Sequence, residues 1–142
     1  LDGHRHLPEI VQELQRLSNS PLSVTFVPHL IPMTRGILST CYARLKGDSG
    51  SRAKERVREL YEDFYRDESF VKVTGSPPQT KQTWGSNFCL VYPVVDSRTG
   101  RLVVVSCIDN LVKGGAGQAV QNMNLMLGLP EVTGLAGLPL YP

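Results

Sequence analysis

Apolar residues recur along this chain with two periods, and the switches between them predict its elements. Ile10, Val11, Leu14 and Leu17 recur at helical spacing, and Pro8 with Glu9 suits a first helical turn. Ser18-Asn19-Ser20-Pro21 stops that helix. Leu22 to Leu30 reads as a strand ending near Pro28 and Pro32. Ile37 to Leu45 alternates strictly, with Ile37, Cys41, Ala43 and Leu45 on one face, and Lys46 to Gly50 is a turn. Ser51 to Arg66 returns to the helical period, with Val57, Leu60, Tyr61 and Phe64 as its stripe.

The second half is richer in strands. Phe70 to Val73 is a short one, and Gly75-Ser76-Pro77-Pro78 is a loop. Asn87 to Val95 and Arg101 to Asp109 form a hairpin across Asp96 to Gly100. Gly114-Gly115-Ala116-Gly117 leads into a helix from Gln118 to Leu127, which Gly128 and Pro130 end; Val132 to Pro142 is irregular. Five strands and three helices predict an α+β fold, a mainly antiparallel mixed sheet with helices on one face, in a single domain over residues 1–142.

Composition narrows the function classes. The 41% hydrophobic and 20% charged residues are those of a globular domain with one core. A formal charge of +2 argues against a nucleic-acid or membrane surface, and no apolar run has the length of a membrane span. A chain beginning at Leu1 suggests processing or a piece of something longer. Cys41, Cys89 and Cys107 lie in apolar strand patterns without paired spacing, which predicts buried free thiols and a reducing compartment.

Three segments could carry chemistry. His4, Arg5, His6 and Glu9 lie within six positions. On extended backbone His4 and His6 would point the same way, as two metal ligands or an acid/base centre. The plainer reading is an idle terminus, since His29 is the only other histidine. In VPHLIPMTRG, Arg35 stands on a proline-stiffened loop, where a two-pronged guanidinium can clamp a carboxylate or phosphate. The plainer reading is a surface arginine beside a turn. The glycine run before Gln118 offers backbone amides at a helix start, an anion contact. Its spacing is neither a dinucleotide fingerprint nor a P-loop, and a packing helix is the plainer reading.

Together, GHRHLPEI, FVPHLIPMTRG, WGSNFC and IDNLVKGGAGQAVQNMNLMLGLPE resemble, in this order, the C-terminal catalytic and dimerisation domain of the N-acetyl-γ-glutamyl-phosphate reductase family. That family is similar in plan to aspartate-semialdehyde dehydrogenase and glyceraldehyde-3-phosphate dehydrogenase. The resemblance implies NADP-dependent reduction of N-acetyl-glutamyl 5-phosphate to its semialdehyde, in arginine biosynthesis, through a cysteine thioester. It implies His4 or His6 as acid/base with Glu9 tuning it, and Arg5 and Arg35 as substrate clamps. Lys113, Gly114, Gly115, Gly117, Gln118 and Asn122 would lie near the nicotinamide half of NADP. The nucleophilic cysteine and the Rossmann domain would precede Leu1, so this chain alone should be inactive. The implied partners are a small-molecule substrate, that Rossmann domain and further copies in a dimer or tetramer. Localisation would be cytoplasmic, or plastid in a plant. A reductase acting on N-acetyl-aminoadipyl phosphate, one methylene longer, and a non-catalytic oligomerisation module are the alternatives.

Overall fold

The computed structural model describes residues 4–46 and 52–140 and divides the chain into two compact units, meeting in sequence between Met33 and Thr34. The predicted turn at Lys46 to Gly50 lies, from Gly47 on, outside the described residues.

The first unit contains helix α1, His6–Arg16. Pro8 falls in its first turn, where its missing N–H costs no hydrogen bond, and Glu9 stands at the positive end of the helix. Gln15 ends the element. Its amide donates to the carbonyls of Ser18 and Ser20 (3.0 and 2.9 Å), and its Oε1 accepts the Leu22 amide (3.0 Å). The predicted strand from Leu22 to Leu30 does not form: these residues enter no ladder. Apolar residues alone do not make a strand when no neighbour supplies hydrogen bonds, and Pro21 and Pro28 remove two donors besides.

The second unit is built on a four-stranded sheet ordered β1-β4-β3-β2, with β1 Ile37–Arg44, β2 Val71–Val73, β3 Cys89–Val95 and β4 Arg101–Ile108. The β3–β4 hairpin is antiparallel, as is β1–β4, whereas β2 runs parallel to β3. Asp96 shapes the hairpin turn, accepting the Arg98 amide at 3.0 Å and the Thr99 hydroxyl at 3.0 Å. The fold is α+β with a mixed sheet, as expected, but with four strands among the described residues rather than five.

Helix α2, Ala53–Phe64, packs on β3. Ala53 and Val57 bury against Val95, with Leu45, Tyr61 and Leu102 around them. Cross-strand register places Val91, Pro93, Val104 and Cys41 on the same face as Val95. Half of the predicted α2 stripe is not core: Leu60 and Phe64 are 64% and 75% exposed. On the other face, the 3₁₀ turn Thr80–Thr83 reaches Cys107, whose thiol donates to the Gln79 carbonyl. Beyond it that face carries Leu38, Tyr42, Val103, Val105, Tyr92 and Val94, and Leu38 and Tyr42 are 51% and 68% exposed. Of the three cysteines, Cys107 is buried, Cys89 half-buried and Cys41 exposed. The expectation of three buried thiols fails at Cys41 because β1 is an edge strand exposed along its whole length.

Helix α3, Gly117–Met126, begins one residue earlier than the sequence suggests and follows a π turn, Val112–Ala116. Gly117 permits its position. A Cβ there would stand 2.4 Å from Asn87 Oδ1 and 2.8 Å from the Val112 carbonyl oxygen.

Candidate active site

In the first unit the four candidate residues gather at the start of α1. His6 is the first helical residue, Arg5 has αR backbone angles, and both are exposed; the extended His-x-His arrangement is therefore replaced by a helix start. The rings of His4 and His6 still meet, edge to face at 4.9 Å, and His4 also meets Phe26 edge to face at 5.1 Å. The His6 amide donates to His4 Nδ1 at 3.3 Å. That satisfies one of the orphan amides of the first helical turn and requires His4 Nδ1 to be unprotonated. Glu9 lies three residues beyond His6 and four beyond Arg5, so helical spacing puts it one turn along from both. His29, the third histidine, faces its own loop, with Nδ1 3.1 Å from the Val27 carbonyl. Among the described residues no three His, Cys, Asp or Glu side chains converge as a metal set.

In the second unit Arg35 stands just before β1. Its Nη2 pairs with Asp109 Oδ2 at 2.7 Å; the Asp109 carboxylate has no exposed surface, while the arginine side chain remains 31% exposed. Asp109 also accepts the amides of Gly85 (2.6 Å), Leu111 (2.8 Å) and Val112 (3.3 Å). Burial alone would raise its pKa, but the Arg35 guanidinium and these three amides outweigh it and hold the carboxyl below the ordinary aspartate value. The backbone at Arg35 is held as well: Trp84 Nε1 donates to its carbonyl (3.2 Å), and Asn110 Oδ1 accepts the next amide, that of Gly36 (2.7 Å).

The glycine segment behaves differently from its sequence pattern. The amides of Gly114 and Ala116 donate to the carbonyls of Asp109 and Leu111, five residues back, and that of Gly117 to Val112. The anion contact expected at this helix start is corrected accordingly: these amides are already bonded within the turn. Gln118 and Asn122 bond each other along α3 at 2.9 Å. Lys113 Nζ donates to Gln121 Oε1 at 2.7 Å and lies 5.6 Å from the centre of the Phe70 ring. Burial lowers the Lys113 pKa, opposed by Cys89, Glu131 and Glu68, and burial raises that of the Cys89 thiol, opposed by Lys113. Gln121 extends the network to Asn87 (2.8 Å) and Glu131 (2.5 Å). Asn87 is buried, and its Oδ1 has no hydrogen-bond partner but faces the Cα of Gly117.

Sequence reasoning missed Asp109, Asn87, Gln121 and Trp84. The one visible signal was at Asp109, an acid closing the apolar run VVVSCI, where a charge must find partners as the strand ends.

The family profile described as semialdehyde dehydrogenase, dimerisation domain, matches residues 1–110. Three similar curated proteins are named N-acetyl-gamma-glutamyl-phosphate reductase. That of Dehalococcoides mccartyi strain CBDB1 is 60% identical over 98% of this chain, and those of Geobacter metallireducens and Pelotomaculum thermopropionicum are each 58% identical over 98%. The chain spans about 40% of the length of each of them. These relatives are bacterial, and the plastid alternative finds no support among them. No helix among the described residues is long and apolar enough to cross a membrane. With its mixed sheet, its helices and a profile match over most of its length, this chain belongs to the semialdehyde dehydrogenase dimerisation-domain family.

Proposed function

We propose that this chain is the substrate-binding and dimerisation part of an N-acetyl-glutamyl-phosphate reductase of arginine biosynthesis. The observation that carries the proposal is the likeness, over 98% of the chain, to proteins of that name. In this reading the acyl phosphate is attacked by a cysteine thiolate on a segment outside these residues. Phosphate leaves, the thioester is reduced, and the semialdehyde departs as the thiolate is restored. A proton must leave the thiol before attack, and the oxyanion formed on reduction needs a proton donor nearby.

His6 is the proton carrier of this proposal. His4 Nδ1 accepts a helix amide, so that ring nitrogen is already committed to the helix start. His6 is under no such constraint and lies one helical turn from Glu9. Arg5 and Arg35 supply cationic donors for the carboxylate and phosphate of the substrate. The reduced cofactor, NADPH, when bound, would supply the hydride. The residues described here do not fit its phosphates, because the amides of Gly114, Ala116 and Gly117 are taken. In this reading the cofactor's phosphates are held outside these residues, with Lys113, Gln118 and Asn122 left as candidates for its nicotinamide end. The open sheet face around Leu38 and Tyr42 receives a second copy of the chain, covering apolar surface that is otherwise exposed to water.

The test uses the complete protein, assayed in reverse as phosphate-dependent reduction of NADP by the semialdehyde. His6→Asn should lower kcat by about a hundredfold or more, the scale of a lost acid/base. His4→Asn keeps an acceptor at the helix start and should retain most of the activity. The opposite order would reverse the assignment, and no phosphate-dependent activity in the parent would overturn the function.

A further inference from the structure

We propose that Asp109 is the positioning residue for Arg35, orienting its guanidinium toward the anionic group of the substrate; this rests on the reading of Arg35 as a substrate clamp. Two segments distant in sequence, the Arg35 side chain and the Gly85 turn, converge on the Asp109 carboxylate, which is also bonded by the turn that directly follows it after β4. Each oxygen receives two donors. Oδ1 takes the amides of Leu111 and Val112, and Oδ2 takes Gly85 and Arg35. An ionised carboxylate is the only side chain of this size that accepts four donors and offers none in return.

Arg35 is correspondingly immobilised. Its carbonyl is held by Trp84 and the following amide by Asn110. Gly36, at φ +103°, turns the chain where a Cβ would stand 2.9 Å from Thr80 Cβ. Even so, Arg35 Nε is buried with no partner. A surface arginine free to choose its rotamer would not leave a donor unsatisfied; here the pair with Asp109 dictates the rotamer instead. The carboxylate is wholly buried while about a third of the arginine remains open, so the pair presents the cation outward.

The experiment is steady-state kinetics on the complete enzyme with Asp109→Asn, Arg35→Met and the double variant, using semialdehyde and phosphate as varied substrates. Asp109→Asn should raise KM by about tenfold, the coupling expected of contacting charged residues, with kcat changed less than about threefold. The double variant should be no worse than Arg35→Met alone. If Arg35→Met leaves KM unchanged, the clamp reading fails and the proposal with it. If Arg35→Met raises KM while Asp109→Asn does not, or the two effects multiply, the clamp survives and the positioning role is overturned. Should Asp109→Asn not fold, Asp109→Glu keeps the charge but moves the carboxylate by one methylene, and the same KM-selective loss is expected. Failure of both to fold, with Arg35→Met folding normally, would assign Asp109 to the fold alone and overturn the proposal.

Discussion

Gly117→Ala sets two effects of opposite sign against each other at one position. Alanine is favoured over glycine in a helix by about 1 kcal/mol, so propensity alone predicts a more stable protein. The structure opposes this, because the new Cβ would lie 2.4 Å from Asn87 Oδ1, 2.6 Å from Val112 Cγ1 and 2.8 Å from the Val112 carbonyl oxygen. Neither oxygen can simply swing away. Asn87 is 1% exposed and anchored through its amide to Gln121, and the Val112 oxygen is backbone that already accepts the Gly117 amide. Overpacking of this kind costs about 1–3 kcal/mol, and forcing the buried Asn87–Gln121 bond apart adds about 1–3 kcal/mol. The net expectation is a loss of roughly 1–5 kcal/mol, or a melting point lowered by about 3–15 °C at roughly 3 °C per kcal/mol. Thermal unfolding followed by circular dichroism measures it. Gly137→Ala, where a Cβ meets nothing within 4 Å, is the control and should stay within about 0.5 kcal/mol. A Gly117→Ala protein melting at or above the parent would refute the close seating of α3 against Asn87.

Val57→Ala removes two methyl groups from the α2–β3 core and should cost about 2 kcal/mol in urea unfolding, whereas Phe64→Ala on the same helix, being largely exposed, should cost much less. Asp109 has a depressed pKa, so its contribution to stability is present above the unfolded aspartate value and disappears as pH falls through the folded one. The stability gap between parent and Asp109→Asn should therefore be constant near neutrality and close only in acid below the ordinary aspartate range. A gap that closes nearer neutrality would contradict the pairing with Arg35. Tyr42→Asp places a charge on the open sheet face and should shift the complete protein toward monomer in sedimentation velocity, with monomer secondary structure intact. An unchanged oligomer would place the interface elsewhere.

Element type was legible wherever the local pattern and the tertiary environment agree. The hairpin is the clearest case: two strand-forming runs flank the short turn at Asp96 to Gly100, and they pair with each other. Helices α1 and α2 were legible for the same reason, since periodicity and helix ends need only a few neighbouring residues. Leu22 to Leu30 shows the limit. Its composition is that of a strand, but a strand exists only where a ladder partner stands beside it, and no local pattern encodes that partner. Cys41 shows a second limit, because alternation identifies the face of a strand but not whether the strand lies at a sheet edge.

The candidate site divides along the same line. The chemistry of individual residues was readable: a histidine pair at a helix start, an arginine on a stiff loop, glycines before a helix. The sequence by itself determined which groups can carry a proton or a charge, because pKa range and donor geometry belong to the residue type. Only the tertiary structure decided which of those groups are committed. It gave His4 Nδ1 to a helix amide, the glycine amides to a π turn, and Arg35 to an aspartate 74 positions later in the chain. Hydrogen-bond partners are chosen by proximity in space, and burial makes each choice binding by raising the cost of leaving a polar group alone.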